Sequence, residues 1–135
     1  MLRYWYRMSR QLIQKELSFK INGICFDVHN RIGRFGRERQ YADDIEECLK
    51  KERTNYKREV EISKLTNSPI GNRADFIIEN KIVLDIKAKK FITKDDYYQM
   101  IRYLKSANIE LGLIVNFRNT FLKPKRVLNS KYKES

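Results

Sequence analysis

The stretch Arg73-Ala74-Asp75-Phe76-Ile77-Ile78-Glu79-Asn80-Lys81-Ile82-Val83-Leu84-Asp85-Ile86-Lys87 places two carboxylates and a lysine in what its aliphatic and β-branched content marks as a β-hairpin. Asp85 and Lys87 are separated by one residue, so on a strand their side chains leave the same face, about 6 to 7 Å apart along it. Whether Asp75 joins them depends on the turn, because a slip of one residue sends every side chain to the opposite face. A three-residue loop of Glu79, Asn80 and Lys81 sets Ile78 opposite Ile82, Phe76 opposite Leu84 and Asp75 opposite Asp85. Loops of that length need a residue in the left-handed region, which Asn80 or its neighbour supplies. That register lines one face with Ala74, Phe76, Ile78, Ile82, Leu84 and Ile86 and leaves Asp75, Asp85 and Lys87 on the other. Two like charges about 5 Å apart across a ladder repel, and a divalent cation between them removes the repulsion. Taken alone, the pattern is more often the decoration of a solvated sheet face, so the rest of the chain has to decide.

Upstream, Ile21, Ile24, Cys25, Val28 and Ile32 recur at helical spacing over Leu17 to Ile32, with Gly33 as the stop signal. After the loop Gly33-Arg34-Phe35-Gly36, residues Arg37 to Arg53 repeat the pattern with Tyr41, Ala42, Ile45, Cys48 and Leu49 inward. Tyr56 to Ile62 alternates as a strand, and Thr66 to Asn72 reads as a loop. Downstream, Thr93 with Lys94, Asp95 and Asp96 marks a helix start, and Tyr97, Tyr98, Ile101 and Leu104 follow at helical spacing. Leu111 to Phe117 is an almost wholly apolar strand of the kind buried on both faces. The expected class is α/β, in the order α, α, β, β, β, α, β, with a short edge strand near Arg126 to Leu128 and a disordered end after it.

With 135 residues the chain is expected to form one domain with a modest core. Its 29 Lys and Arg against 17 Asp and Glu give a formal net charge of +12, beyond what solubility requires and suited to a polyanionic partner. Two cysteines, Cys25 and Cys48, are too few for a disulfide framework or a cysteine-rich zinc site, and both fall in helical patterns as reduced core residues. Met1 to Leu12 mixes Arg3, Arg7 and Arg10 with Tyr4, Trp5 and Tyr6, without the apolar run of a signal peptide. No stretch approaches membrane-spanning length, so a cytoplasmic, reducing compartment and no membrane partner are expected.

Several motifs taken together resemble the PD-(D/E)XK nuclease superfamily, and within it the small group of GxxExxY proteins. They are Val28-His29-Asn30-Arg31-Ile32-Gly33, Glu38-Arg39-Gln40-Tyr41, Asp75 with Asp85-Ile86-Lys87, Gln99 with Tyr103, and Gly112-Leu113-Ile114-Val115-Asn116-Phe117. The order of the elements is far more specific than any one of them. One departure concerns the loop entering the second helix: Phe35 stands three residues before Glu38, and the glycines fall at 33 and 36. The resemblance implies a restriction-endonuclease-like core over residues 17–128, a central mixed sheet flanked by helices, between a basic and aromatic extension at 1–16 and a basic tail at 129–135.

What the resemblance implies for chemistry is a Mg²⁺- or Mn²⁺-dependent endonuclease or exonuclease, with DNA as the expected substrate. Asp75 and Asp85 are the expected metal ligands, with the Ile86 carbonyl as a further oxygen and Glu38 as a direct or water-mediated ligand; hard oxygen donors suit those ions. Lys87 would orient or help deprotonate the attacking water, and Gln99 would reach the phosphate or the water from the next helix. Tyr103 shares the Gln99 face, where packing explains it equally well. His29 is read as a packed or capping residue rather than a base, and Tyr41, Tyr97 and Tyr98 as core. Arg34, Arg37 and Arg39 with Arg31, together with Lys89, Lys90, Lys123, Lys125 and Arg126, are candidates for backbone phosphate contacts. Two rivals stand beside the nuclease: a non-catalytic nucleic-acid-binding module of the same fold, and a protein-interaction domain that uses its basic face. A homodimer is expected if both strands of a duplex are cut together.

Overall fold

Apolar residues at helical spacing build one layer of the protein. The computed structural model describes residues 13–62 and 73–134. Helix α1 (Lys15–Ile32) and helix α2 (Glu38–Lys51) turn Ile21, Cys25, Val28, Tyr41, Ile45 and Leu49 inward. α1 begins two residues before the apolar spacing marks it, and the loop expected at Thr66 to Asn72 lies outside the described residues, as do the first twelve.

Strands β1 (Tyr56–Glu61), β2 (Arg73–Ile78), β3 (Ile82–Lys87), β4 (Leu111–Asn116) and β5 (Lys125–Leu128) form one mixed sheet in sequence order. Three neighbouring pairs are antiparallel, whereas β3 and β4 are parallel and joined by helix α3 (Lys94–Ala107). Helices α1 and α2 cover one face, over Phe76, Ile78, Ile82, Leu84, Leu113 and Val115. α3 covers the other through Met100, Tyr103 and Leu104, against Ile77, Val83 and Ile114. This is the expected restriction-endonuclease-like layering, with β4 buried throughout as its apolar run implies. Close packing of α3 is visible at Gly112, where an added Cβ would fall 2.4 Å from Met100 Sδ.

The hairpin has the register that a three-residue loop imposes: Ile78 faces Ile82, and Phe76 faces Leu84. Both Glu79 (φ 54) and Asn80 (φ 55) adopt the left-handed conformation, one more residue than such a loop needs. Two expectations are corrected. Ala74 does not join the Phe76 face but packs with Ile77 and Val83 beneath α3. Across the ladder, Glu59, opposite Asp75 in the β1–β2 register, has φ 53 and is missing from the pairing between Arg58–Phe76 and Val60–Ala74. The chain after β5 is also tied down rather than free. Buried Asn129 donates to the carbonyls of Leu104 and Ile109, and Asn108 exchanges hydrogen bonds with the backbone of Lys133.

Candidate active site

β2 and β3 bring the two acids together. The β2–β3 ladder pairs as far as Phe76 and Leu84, and beyond it the backbone N–H of Ile86 donates to Asp75 Oδ2 at 2.6 Å, a side-chain oxygen standing where a strand carbonyl would. Continued by one pair, the same register sets Asp75 across from Asp85. Burial, and then the Asp85 carboxylate, push the Asp75 pKa up to about 8, against a weaker opposing pull from the Ile86 N–H and Lys87. Asp85 is buried, 3 % exposed, and its Oδ2 has no well-aligned hydrogen bond although Lys87 Nζ sits 3.2 Å away.

Lys87 stays an ammonium. Burial works against the charge, but Asp85, Asp96 and Glu38 outweigh it and hold the pKa above the usual lysine value. Asp96, buried at the start of α3, is 3.9 Å from Lys87 Nζ and 2.5 Å from Lys89 Nζ. The same carboxylate accepts from the Thr93 N–H, while Thr93 Oγ1 accepts from the Asp96 N–H, so it caps α3 as well. Burial would raise its pKa, but Lys89, Thr93 and Lys87 together hold it below the usual carboxylate value. Asn116, also buried, clasps the turn after β3: Lys89 N–H donates to its Oδ1 and its Nδ2 donates to Lys89 O. Reading the sequence passed over both roles. Asp96 was visible only as a helix-start acid, and the signal for Asn116 was a lone amide at the end of an apolar strand.

Glu38, at the exposed first turn of α2, lines an open cavity of about 380 Å³ with Arg39, Ala42, Arg58, Glu59 and Asp75. Its approach depends on Tyr41, whose hydroxyl donates to Gly33 O and accepts from Gly36 N while the ring stacks on Phe117 at 4.2 Å. Gly36 is required there, since a Cβ would come within 2.9 Å of Tyr41 Cζ and Ile32 Cγ2. Gln99 is half-buried on α3 between Asp96 and Tyr103, one turn from each. Tyr103 is core, with its hydroxyl donating to Arg73 O. His29 pairs through Nε2 with Asn119 O and packs near Phe117, away from the acids' face of the sheet. Tyr97 is half-buried against the α3 core, but Tyr98 is 54 % exposed and is not part of it.

The basic residues fall into two sets. Arg34, Arg37, Arg39, Lys90, Lys123 and Lys125 are exposed. Lys123 and Lys125 stand at the end of the sheet where β3 and β4 finish, because β5 runs antiparallel to β4 and pairs Lys125 with Ile114. Arg126 is instead spent inside the fold, donating to Ser18 Oγ and Ile13 O, and its burial lowers its pKa.

A model of the PD-(D/E)XK nuclease superfamily matches residues 15–127. The chain belongs to that superfamily. Neither a curated protein nor a solved structure matches it. Superfamily members usually hydrolyse phosphodiester bonds and typically use divalent ions. The donors here fit such an ion on two counts: a buried Asp85 oxygen lacks a hydrogen bond, and Asp75 beside it is driven to hold a proton. Among the described residues no three carboxylate, imidazole or thiol groups converge to cage a cation. Its remaining positions would fall to a backbone carbonyl, water and substrate oxygens, which is how Mg²⁺ is ordinarily held. Among the described residues no helix is long and apolar enough to cross a membrane.

Proposed function

We propose that the protein is a Mg²⁺- or Mn²⁺-dependent nuclease acting on DNA. The observation that carries this reading is Asp75, fastened through Oδ2 to the Ile86 N–H at 2.6 Å, beside the buried Asp85 with the Lys87 ammonium 3.2 Å from it. A pure binding module has no use for two carboxylates where a phosphate must approach. Glu38-Arg39-Gln40-Tyr41, with Tyr41 fixing the loop before the helix, supports placement in the GxxExxY group.

In this reading Asp75, Asp85 and the Ile86 carbonyl would hold the ion, with Glu38, which lines the same cavity as Asp75, as a direct or water-mediated ligand. When bound, a divalent ion acidifies the attacking water and neutralises charge on the scissile phosphate. Lys87, its Nζ 3.2 Å from Asp85, orients or helps deprotonate the attacking water and balances charge on the pentavalent phosphate. Gln99 orients the water or a phosphate oxygen from α3. Arg34, Arg37, Arg39, Lys90, Lys123 and Lys125 contact backbone phosphates, giving affinity that is independent of sequence and falls with salt. The compartment in this reading is the cytoplasm.

The test is incubation with single- and double-stranded DNA and RNA, with and without Mg²⁺ or Mn²⁺. Metal-dependent cleavage supports the proposal. Salt-sensitive binding without cleavage of any substrate returns the non-catalytic module, and absence of nucleic-acid affinity returns the protein-interaction domain.

A further inference from the structure

Besides Phe19 on α1, three phenylalanines that the nuclease reading does not use, all in loops, are largely open to solvent: Phe35 is 73 % exposed, Phe91 74 % and Phe121 78 %. They occupy the α1–α2, β3–α3 and β4–β5 loops. β3 and β4 are parallel, so the last two loops leave the same end of the sheet, the end that carries Lys87. The three loops are tied to one another. Arg34 donates to Arg118 O at 2.8 Å, and Asn116, which ends β4, clasps Lys89 in the β3–α3 loop. Phe35 has the Arg34 guanidinium 4.7 Å from its centroid and that of Arg118 at 5.1 Å.

Single exposed apolar residues are ordinary on a protein surface. Here each ring has a cation one or two residues away in sequence: Arg34 beside Phe35, Lys90 beside Phe91, and Lys123 two residues from Phe121. Aromatic rings interleaved with cations are what an unpaired strand requires, because bases stack on the rings while the cations follow the phosphates. A duplex keeps its bases stacked on each other and offers the rings nothing. We infer that this loop surface binds unpaired nucleotides, so that the preferred substrate is a single strand, or a duplex with a frayed or flapped end. The inference rests on the nuclease reading for its link to cleavage, but the binding surface does not depend on it.

The test separates the two. With metal chelated, binding of a 2-aminopurine-labelled single strand and of a duplex of equal length is measured by fluorescence and anisotropy at one salt concentration. The expected result is tighter binding of the single strand. Phe35→Ala and Phe121→Ala should each weaken it by about fivefold or more, the low end of one lost stacking contact, and leave the duplex within about twofold. Equal or tighter duplex binding, or unchanged single-strand affinity in both variants, overturns the inference. So does sedimentation showing that the rings pair two copies of the chain, with dimerisation lost in the variants. Cleavage is then assayed with Mn²⁺: single-strand binding without cleavage defeats the nuclease reading alone, and duplex cleavage indifferent to the phenylalanines defeats the surface alone.

Discussion

Asp75 Oδ2 accepts the Ile86 N–H at 2.6 Å, so the acid of β2 is fastened to the backbone of the strand that carries Asp85. That bond keeps the Asp75 carboxyl beside the strand of Asp85, where the two acids repel when both are charged. Neutralisation by a proton or a cation removes that repulsion.

Asp85→Ala is expected to reduce cleavage by at least about 10²-fold while leaving DNA binding unchanged or stronger, since a negative charge beside the phosphates is removed. Lys87→Ala should lose turnover to a similar degree and bind slightly more weakly. Single-turnover rates and filter-binding affinities on the same preparations check this; an Asp85→Ala enzyme within a few-fold of wild type would refute the assignment.

Titration of Mg²⁺ or Mn²⁺ without nucleic acid is expected to raise the melting temperature. At a concentration about one hundred times the dissociation constant, the gain is about 2.7 kcal/mol. Asp85→Ala should abolish the shift, as read by calorimetry.

In metal-free protein, stability should fall as pH rises across the window set by Asp75. Between the reference value of 3.8 and about 8, the folded chain keeps a proton there that the unfolded chain has released. Folded protein thus binds more protons, and the stabilisation, complete at the acid end, is lost as the pH climbs to about 8. Urea denaturation at pH 4, 6 and 8 should show a smaller decline in Asp75→Asn than in wild type.

Tyr41→Phe removes a hydroxyl that bonds Gly33 and Gly36 but keeps the ring on Phe117. A cost of about 1 kcal/mol is expected, since a half-buried carbonyl and N–H lose their partner. Cleavage should fall further than global stability accounts for, because Glu38 begins the helix that this loop feeds. Denaturation and kinetics at a temperature where both proteins are fully folded separate the two effects.

The hairpin was legible because two independent signals agreed, the period-two apolar pattern and a loop with Asn at its centre. Parts of the site that depend on long-range partners were not. Asp96 announces itself as a helix cap, and nothing local says that Lys87 and Lys89 come to rest on it. Asn116 falls within the motif that ends β4, but nothing local points to the turn it clasps, 27 residues away in sequence. Ala74 departs from the alternation at a point where the facing residue of β1, Glu59, is left-handed, and glutamate has no propensity that reveals it. The end of the chain read as free because its anchors, Asn108 and Asn129, resemble ordinary turn residues.

The left-handed Glu59 also bears on assembly. β1 is the outer strand of the sheet, and its exposed positions carry Lys57, Glu59 and Glu61. A charged border interrupted by a left-handed residue offers no regular row of amides and carbonyls for a second copy to extend. Two copies meeting on a duplex would then join through some surface other than β1, and the geometry of their cuts would follow from that contact.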